Sequence, residues 1–276
     1  MFKRYKFPLR STETSELIQQ RADASAEPRA TQRILILFTP RTGSSRLAHL
    51  MKSSGTLGDP GEVFNPLFVT RVAERYNVNQ FSDYIDALLR YRVSDNIFSC
   101  KATYSHIVGF FGSSKSFFKE IKPTHIIWLY RRDIVAQAIS LARLNQTGVA
   151  HSIDKNTKAV IEAGEKFKYQ RLTILKCLLS IITMEIRSVV MLKRHKVMPL
   201  YMTYEECTEC DPAVILARIH NHVGTTQTES LPFSDIHEKL AGEQTRSYQR
   251  RFEGEHKLLV CAVARLRNLY LNLKFS

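Results

Sequence analysis

The chain has 276 residues, enough to bury a sizeable core, and a single α/β domain is the expected count. Lys and Arg outnumber Asp and Glu by 40 to 26, and the net charge of +14 points to acidic partners: an anionic nucleotide, an anionic glycan, nucleic acid or a membrane surface. Five irregularly spaced cysteines exclude a disulfide framework, and Lys176, Glu185 and Arg187 interrupt the apolar stretch Leu172–Leu192, which argues against a membrane span.

Cys207 and Cys210 form a C-x-x-C, but no second Cys/His pair stands at zinc-site spacing, so a structural thiol pair is expected. No early apolar core reads as a signal peptide, and a cytoplasmic enzyme is the expectation. Residues 1–32 mix basic, Ser/Thr and Ala residues without periodicity and read as a loosely ordered basic arm; residues 33–276 read as one domain. The arm through Arg33 supplies only +3 of the charge, so the domain itself is basic.

Arg33–Phe38 is a short apolar, β-branched run that reads as a buried parallel strand. Thr39, Pro40, Arg41, Thr42 and Gly43 form a turn, and Ser44 and Ser45 read as caps of a helix that stops near Gly55. A strand feeding a tight turn into a helix N-terminus is an anion site, because unpaired amides and the helix dipole converge there. Arg41 adds a fixed positive charge, and Thr42, Ser44 and Ser45 add hydroxyls. The plainer alternative is a strand–helix corner whose serines only cap. This is not a nucleoside-triphosphate loop, which needs four residues between two glycines and then Lys-Ser/Thr.

Three glycines and two prolines between Gly55 and Pro66 predict an irregular loop on the side of the phosphate loop, and it carries Glu62. Phe81–Tyr91 has helical spacing with Ser82 as its cap, and Ile97–Ala102 reads as a strand with Lys101 near its end. His125–Tyr130 is the third strand; it runs into Arg131, Arg132 and Asp133, where a helix carrying Ser140 begins. Lys158–Lys193 predicts one or two helices for core or dimer contact, and Val197–Thr203 a fourth strand. Asp211-Pro212 starts a helix that ends near Gly224, and His256–Leu271 reads as a packing helix. Recurring strand–loop–helix units predict a parallel sheet flanked by helices, with ligands beyond the carboxyl ends of the strands at a topological switch point.

Two guanidiniums at a strand end grip a phosphate well, so Arg131 and Arg132 with Ser140 make a second anion site, unless one arginine pairs with Asp133 and the other is solvated. Tyr204, at the end of the fourth strand, either closes the core or stacks on a base. Gln244–Arg251 carries Arg246, Arg250 and Arg251 and reads equally as an anion clamp or a solvated helix start.

The segment Pro40–Ser45, PRTGSS, resembles the 5′-phosphosulfate loop of sulfotransferases. RRDIVAQAIS at Arg131–Ser140 resembles their 3′-phosphate segment: Arg132 has the common spacing to Ser140, and Arg131 matches a variant R-x-D arrangement. With LYMTYEE at Leu200–Glu206, the loop Gly58–Phe64 and the strand ending near Lys101, the chain is similar to bacterial carbohydrate sulfotransferases of the trehalose 2-sulfotransferase type from about residue 33 to 251. Two departures stand out, Arg132 for the family's Pro and Arg46 for an apolar residue.

The resemblance implies an α/β fold with a P-loop-like phosphosulfate-binding loop. It also implies 3′-phosphoadenosine 5′-phosphosulfate (PAPS) as donor, adenosine 3′,5′-bisphosphate as product, no metal, and a sugar hydroxyl of a glycolipid or polysaccharide as acceptor. Arg41, Thr42, Gly43, Ser44 and Ser45 would hold the phosphosulfate; Arg131 or Arg132 with Ser140 the 3′-phosphate; Tyr204 the adenine; and Arg246, Arg250 and Arg251 would close over the donor. Glu62 matches the family's general base. The plainer reading has Glu62 capping a turn or pairing with Arg71 or a nearby Lys, with His106 and His151 as competing bases. Peripheral membrane contact and a homodimer are compatible with this reading, and nucleic acid is not an expected partner. A kinase with a degenerate phosphate loop and a basic nucleic-acid-binding protein are the alternatives.

Overall fold

Strand β1 (Gln32–Phe38) is the centre of the sheet, and its side chains alternate between two cores. Leu35 and Leu37 enter one core, and Ile34, Ile36 and Phe38 enter the other, as the period of two dictates. The computed structural model describes residues 28–149, 166–226 and 243–271. The arm expected over 1–32 therefore lies largely outside the described residues. Its last part is tied to the domain, with Ala30 buried and its amide bonded to the Leu89 carbonyl at 2.7 Å.

In chain order the remaining elements are α1 (Ser44–Ser53), α2 (Pro66–Arg75), α3 (Phe81–Tyr91), β2 (Val93–Ser94), β3 (Ile97–Ala102), α4 (Tyr104–Phe111) and α5 (Ser114–Glu120). Then follow β4 (His125–Tyr130), α6 (Ile134–Thr147), α7 (Arg171–Arg194), β5 (Leu200–Thr203), α8 (Tyr204–Glu209), α9 (Pro212–Val223), α10 (Glu243–Glu255) and α11 (Lys257–Leu271). The strand order is β2-β3-β1-β4-β5. All neighbours pair in parallel except the two-residue β2, which runs antiparallel to β3, so the sheet is mixed. Helices cover both faces: α3, α4 and α5 lie on the Leu35 side, α1 and α9 on the Ile36 side. A third core joins α6, α7, α10 and α11. Truncating a fully buried centre such as Leu37 to Ala should cost about 2–5 kcal/mol.

After β1 the chain crosses to β3 on one side and then to β4 on the other, which puts the switch point between β1 and its two parallel neighbours. Several local expectations differ from the structure. Gly43, not a serine, is the N-cap of α1, and Ser44 is its first helical residue. Gln80 rather than Ser82 precedes α3. The expected strand from Val197 starts only at Leu200, because Lys196 takes a left-handed φ of 53° and the Val197 amide bonds back to the Leu192 carbonyl, closing α7. Helices α2, α4, α5 and α8 were not expected. Among the described residues no helix is long and apolar enough to cross a membrane.

Candidate active site

The loop after β1 is braced from within and from α6. The Thr42 hydroxyl donates to the Thr39 carbonyl at 2.8 Å. Buried Gln137 of α6 donates to the Thr39 hydroxyl at 2.9 Å and to the Pro40 carbonyl at 2.7 Å. Arg41 and Gly43 both have positive φ, 70° and 75°. At Gly43 a Cβ would also lie 2.8 Å from Cδ2 of Tyr204, so glycine is required twice over. Having no side chain, Gly43 cannot cap α1. The first amides of that helix have no intrahelical acceptors, the usual basis of anion binding.

The second basic turn meets this loop directly. Arg41 Nε donates to Ser140 Oγ at 2.9 Å. Burial lowers the Arg41 pKa below the ordinary guanidinium value, and the charges of Arg131 and Arg143 lower it further against a smaller opposing effect of Tyr204. The Arg131 guanidinium lies over the Tyr204 ring, 4.4 Å from its centroid. Arg131 Nε is buried without a hydrogen-bond partner among the described residues. Guanidiniums gathered at one turn, one of them with an orphaned buried donor, fit an anionic ligand.

Arg132 is placed differently. Its Nη2 donates to Thr203 Oγ1 at 3.3 Å. Glu205 accepts from the amides of Arg132 and Asp133 at 3.0 and 3.3 Å, so this carboxylate orders the turn. Asp133 pairs with neither arginine; it caps α6 through the Ala136 amide at 2.9 Å and accepts from Gln249 of α10 at the same distance.

Glu62 sits in a second cluster beside the loop. The segment Gly55–Asn65 is laid along β3, with the Lys101 amide donating to the Gly61 carbonyl at 2.9 Å. Lys101 Nζ bridges Ser45 Oγ at 2.9 Å and Glu62 Oε1 at 3.3 Å, and Asn65 Nδ2 donates to Glu62 Oε2 at 2.7 Å. Lys101, not Arg71, is thus the cation paired with Glu62. Burial lowers the Lys101 pKa, and the neighbouring Glu62 opposes that shift. Burial also lowers the His106 pKa; Glu62 raises it and Lys101 lowers it. His151 lies outside the described residues.

The late arginines lie on helix α10. Arg246 and Arg250 are exposed. Arg251 donates to Glu255 at 2.8 Å and covers the Tyr169 ring at 4.2 Å. The contact from this helix to the basic turn is made by Gln249 instead. Lys101 is legible in the sequence as a polar residue at a strand end, and Gln137 and Gln249 within the segments at Arg131–Ser140 and Gln244–Arg251, but the partners of Gln137, Asn65 and Gln249 carry no local signal. Among the described residues no three His, Cys, Asp or Glu side chains gather as a metal site.

A central strand feeds a glycine turn into a helix, and Tyr204, carrying Arg131 over its ring, packs against that turn within an α/β fold. The chain belongs to the Stf0 sulphotransferase family, whose match covers residues 91–255, and it is a sulfotransferase. That match includes Arg131–Ser140 and Tyr204; the loop after β1, Glu62 and α11 lie outside it. A sulfotransferase from Alicyclobacillus acidocaldarius has a similar structure over 87% of this chain and 96% of its own, at 15% identity and a TM-score of 0.49. No curated protein sequence matches the chain.

Proposed function

We propose that the chain transfers the sulfuryl group of PAPS to a sugar hydroxyl of a glycolipid or polysaccharide, with Glu62 as general base. One observation carries this reading. A single ammonium, Lys101 Nζ, links Ser45 at the head of α1 to Glu62, which puts a carboxylate beside an anion loop.

In this reading the amides of Thr42–Ser45 and the Arg41 side chain hold the 5′-phosphosulfate, and Arg131 with Ser140 holds the 3′-phosphate. Tyr204 first holds Arg131, and its ring remains the candidate contact for adenine. The bound donor supplies the sulfuryl group and a phosphate leaving group. Glu62 takes the proton of the acceptor hydroxyl as that oxygen bonds to sulfur. The electron pair of the breaking S–O bond goes to the 5′-phosphate, where Arg41 and Lys101 offset the growing charge. A glycolipid acceptor would bring the basic surface to a membrane, and the half-exposed Leu179 and Val190 of α7 suit a dimer contact. All five cysteines are unpaired, which suits the reducing cytoplasm.

The test is Glu62→Gln. It should bind adenosine 3′,5′-bisphosphate normally and transfer sulfate about a hundredfold more slowly. Near-normal turnover removes Glu62 from the role. A wild-type protein stabilised by ATP with magnesium or by an oligonucleotide, and not by the bisphosphate, overturns the donor.

A further inference from the structure

The C-terminal helix α11 lies beyond the family match, yet one of its side chains reaches the turn that carries Arg131 and Arg132. Arg267 is 5% exposed, and its guanidinium makes four hydrogen bonds. Nη1 donates to the Arg132 carbonyl at 2.8 Å and Nη2 to the Arg131 carbonyl at 2.7 Å. Nε and Nη2 meet the two oxygens of Glu185 of α7, both at 2.9 Å. Glu185 is fully buried and also accepts from the Tyr270 hydroxyl.

The same turn is held from its other side by Glu205, which takes the amides of Arg132 and Asp133. Two carbonyls are therefore gripped by an arginine and two amides by a carboxylate. Such a turn has little freedom to rotate, and the Arg131 side chain leaves it in one direction, over Tyr204 and toward the loop after β1.

Stability alone is a poor account of this cluster. A buried ion pair is often matched or bettered by apolar residues of similar size, because desolvation offsets the attraction. An arginine is the side chain whose planar fork reaches two carbonyls and a carboxylate together. We infer that Arg267, fixed by Glu185, is a positioning residue for the donor 3′-phosphate site: it sets the peptide planes of Arg131 and Arg132 and so aims the Arg131 guanidinium. The inference rests on the PAPS reading above. It assigns α11 a part in donor recognition without any contact to the donor.

The experiment compares adenosine 3′,5′-bisphosphate with adenosine 5′-monophosphate by calorimetry. Two variants are used: Arg267→Lys, which keeps a cation for Glu185 but cannot span both carbonyls, and the triple Glu185→Leu, Arg267→Leu, Tyr270→Phe, which leaves none of the three side chains with an unpaired polar group. The wild type should prefer the bisphosphate. In each folded variant that preference should fall at least tenfold, while affinity for the monophosphate changes less than threefold. A folded variant that keeps the wild-type preference overturns the role of Arg267, and so does an equal loss of affinity for both nucleotides. A wild type without preference overturns the donor reading itself.

Discussion

Arg41 of the loop after β1 donates to Ser140 of α6 across 99 residues of sequence, at 2.9 Å. Two turns that read as separate anion sites therefore share one hydrogen bond, and a change in either is felt by the other. The expected outcome is non-additivity. In a double-mutant cycle with Arg41→Ala and Ser140→Ala, bisphosphate binding should show a coupling energy of about 0.5–3 kcal/mol, the range for residues in contact. Additive losses, within about 0.5 kcal/mol, would mean that the two turns act independently.

Arg131 and Arg132 share a strand end but not a setting. Arg131 stacks on Tyr204 and keeps a buried donor without a partner among the described residues, whereas exposed Arg132 is engaged by Thr203. Arg131→Ala should weaken the bisphosphate about ten- to a hundredfold, the scale of a charge-assisted hydrogen bond, with little effect on adenosine 5′-monophosphate. Arg132→Ala should stay within about threefold, a cost below 1 kcal/mol. The reverse ranking would hand the 3′-phosphate to Arg132.

The sheet was legible because its strands are short runs of β-branched and aromatic residues bounded by turn formers. The expected bounds of β3 and β4 match the structure residue for residue. Helix α2 is not legible although Asn65 caps it and Pro66 fills its first position, because three preceding glycines give the whole stretch the composition of a loop. Helix α4 was hidden by a capping box whose third position is His106 instead of Glu or Gln. In the candidate site, Arg41 and Gly43 are legible because their signals are local, and Glu62 because the Gly58–Phe64 segment resembles the family's. Arg267 was not, since it reaches carbonyls 135 and 136 residues away and no period or motif records such a contact.

Histidines that are wholly or partly withdrawn from solvent weaken the fold in acid. His106, His125, His195, His220 and His222 are each held below their ordinary value of 6.5, in every case first by burial, with His222 adding to the effect on His125. A lowered folded value means that the unfolded chain binds the proton more readily. The resulting stability is present above about pH 6.5 and is lost as the pH falls below it. Glu206 adds a second loss at lower pH: burial would raise its carboxyl, but hydrogen bonds from Thr203 and the charge of Arg218 outweigh that. At equal ionic strength the melting temperature should be lower at pH 5.5 than at pH 7.5. An equal or higher value at pH 5.5 would contradict this assignment of the neutral histidines.

His106 is the described competitor to Glu62 as base, and its hydrogen bond argues against it. Its Nδ1 accepts from the Thr103 amide at 3.4 Å, while the Thr103 hydroxyl accepts from the His106 amide at 3.1 Å. That reciprocal cap starts α4 and assigns the ring proton of the neutral imidazole to Nε2. A ring with Nδ1 occupied and Nε2 protonated has no free lone pair for a hydroxyl proton unless it gives up the cap. Gln is a preferred residue at this position of a capping box, so His106→Gln should preserve the start of α4 while removing the imidazole. The expected result is a melting temperature near that of the wild type at pH 7.5 and a kcat within about threefold, against the hundredfold loss expected for Glu62→Gln. If His106→Gln folds and loses about a hundredfold in kcat while Glu62→Gln does not, the proton goes to the histidine and Glu62 is left as the partner of Lys101.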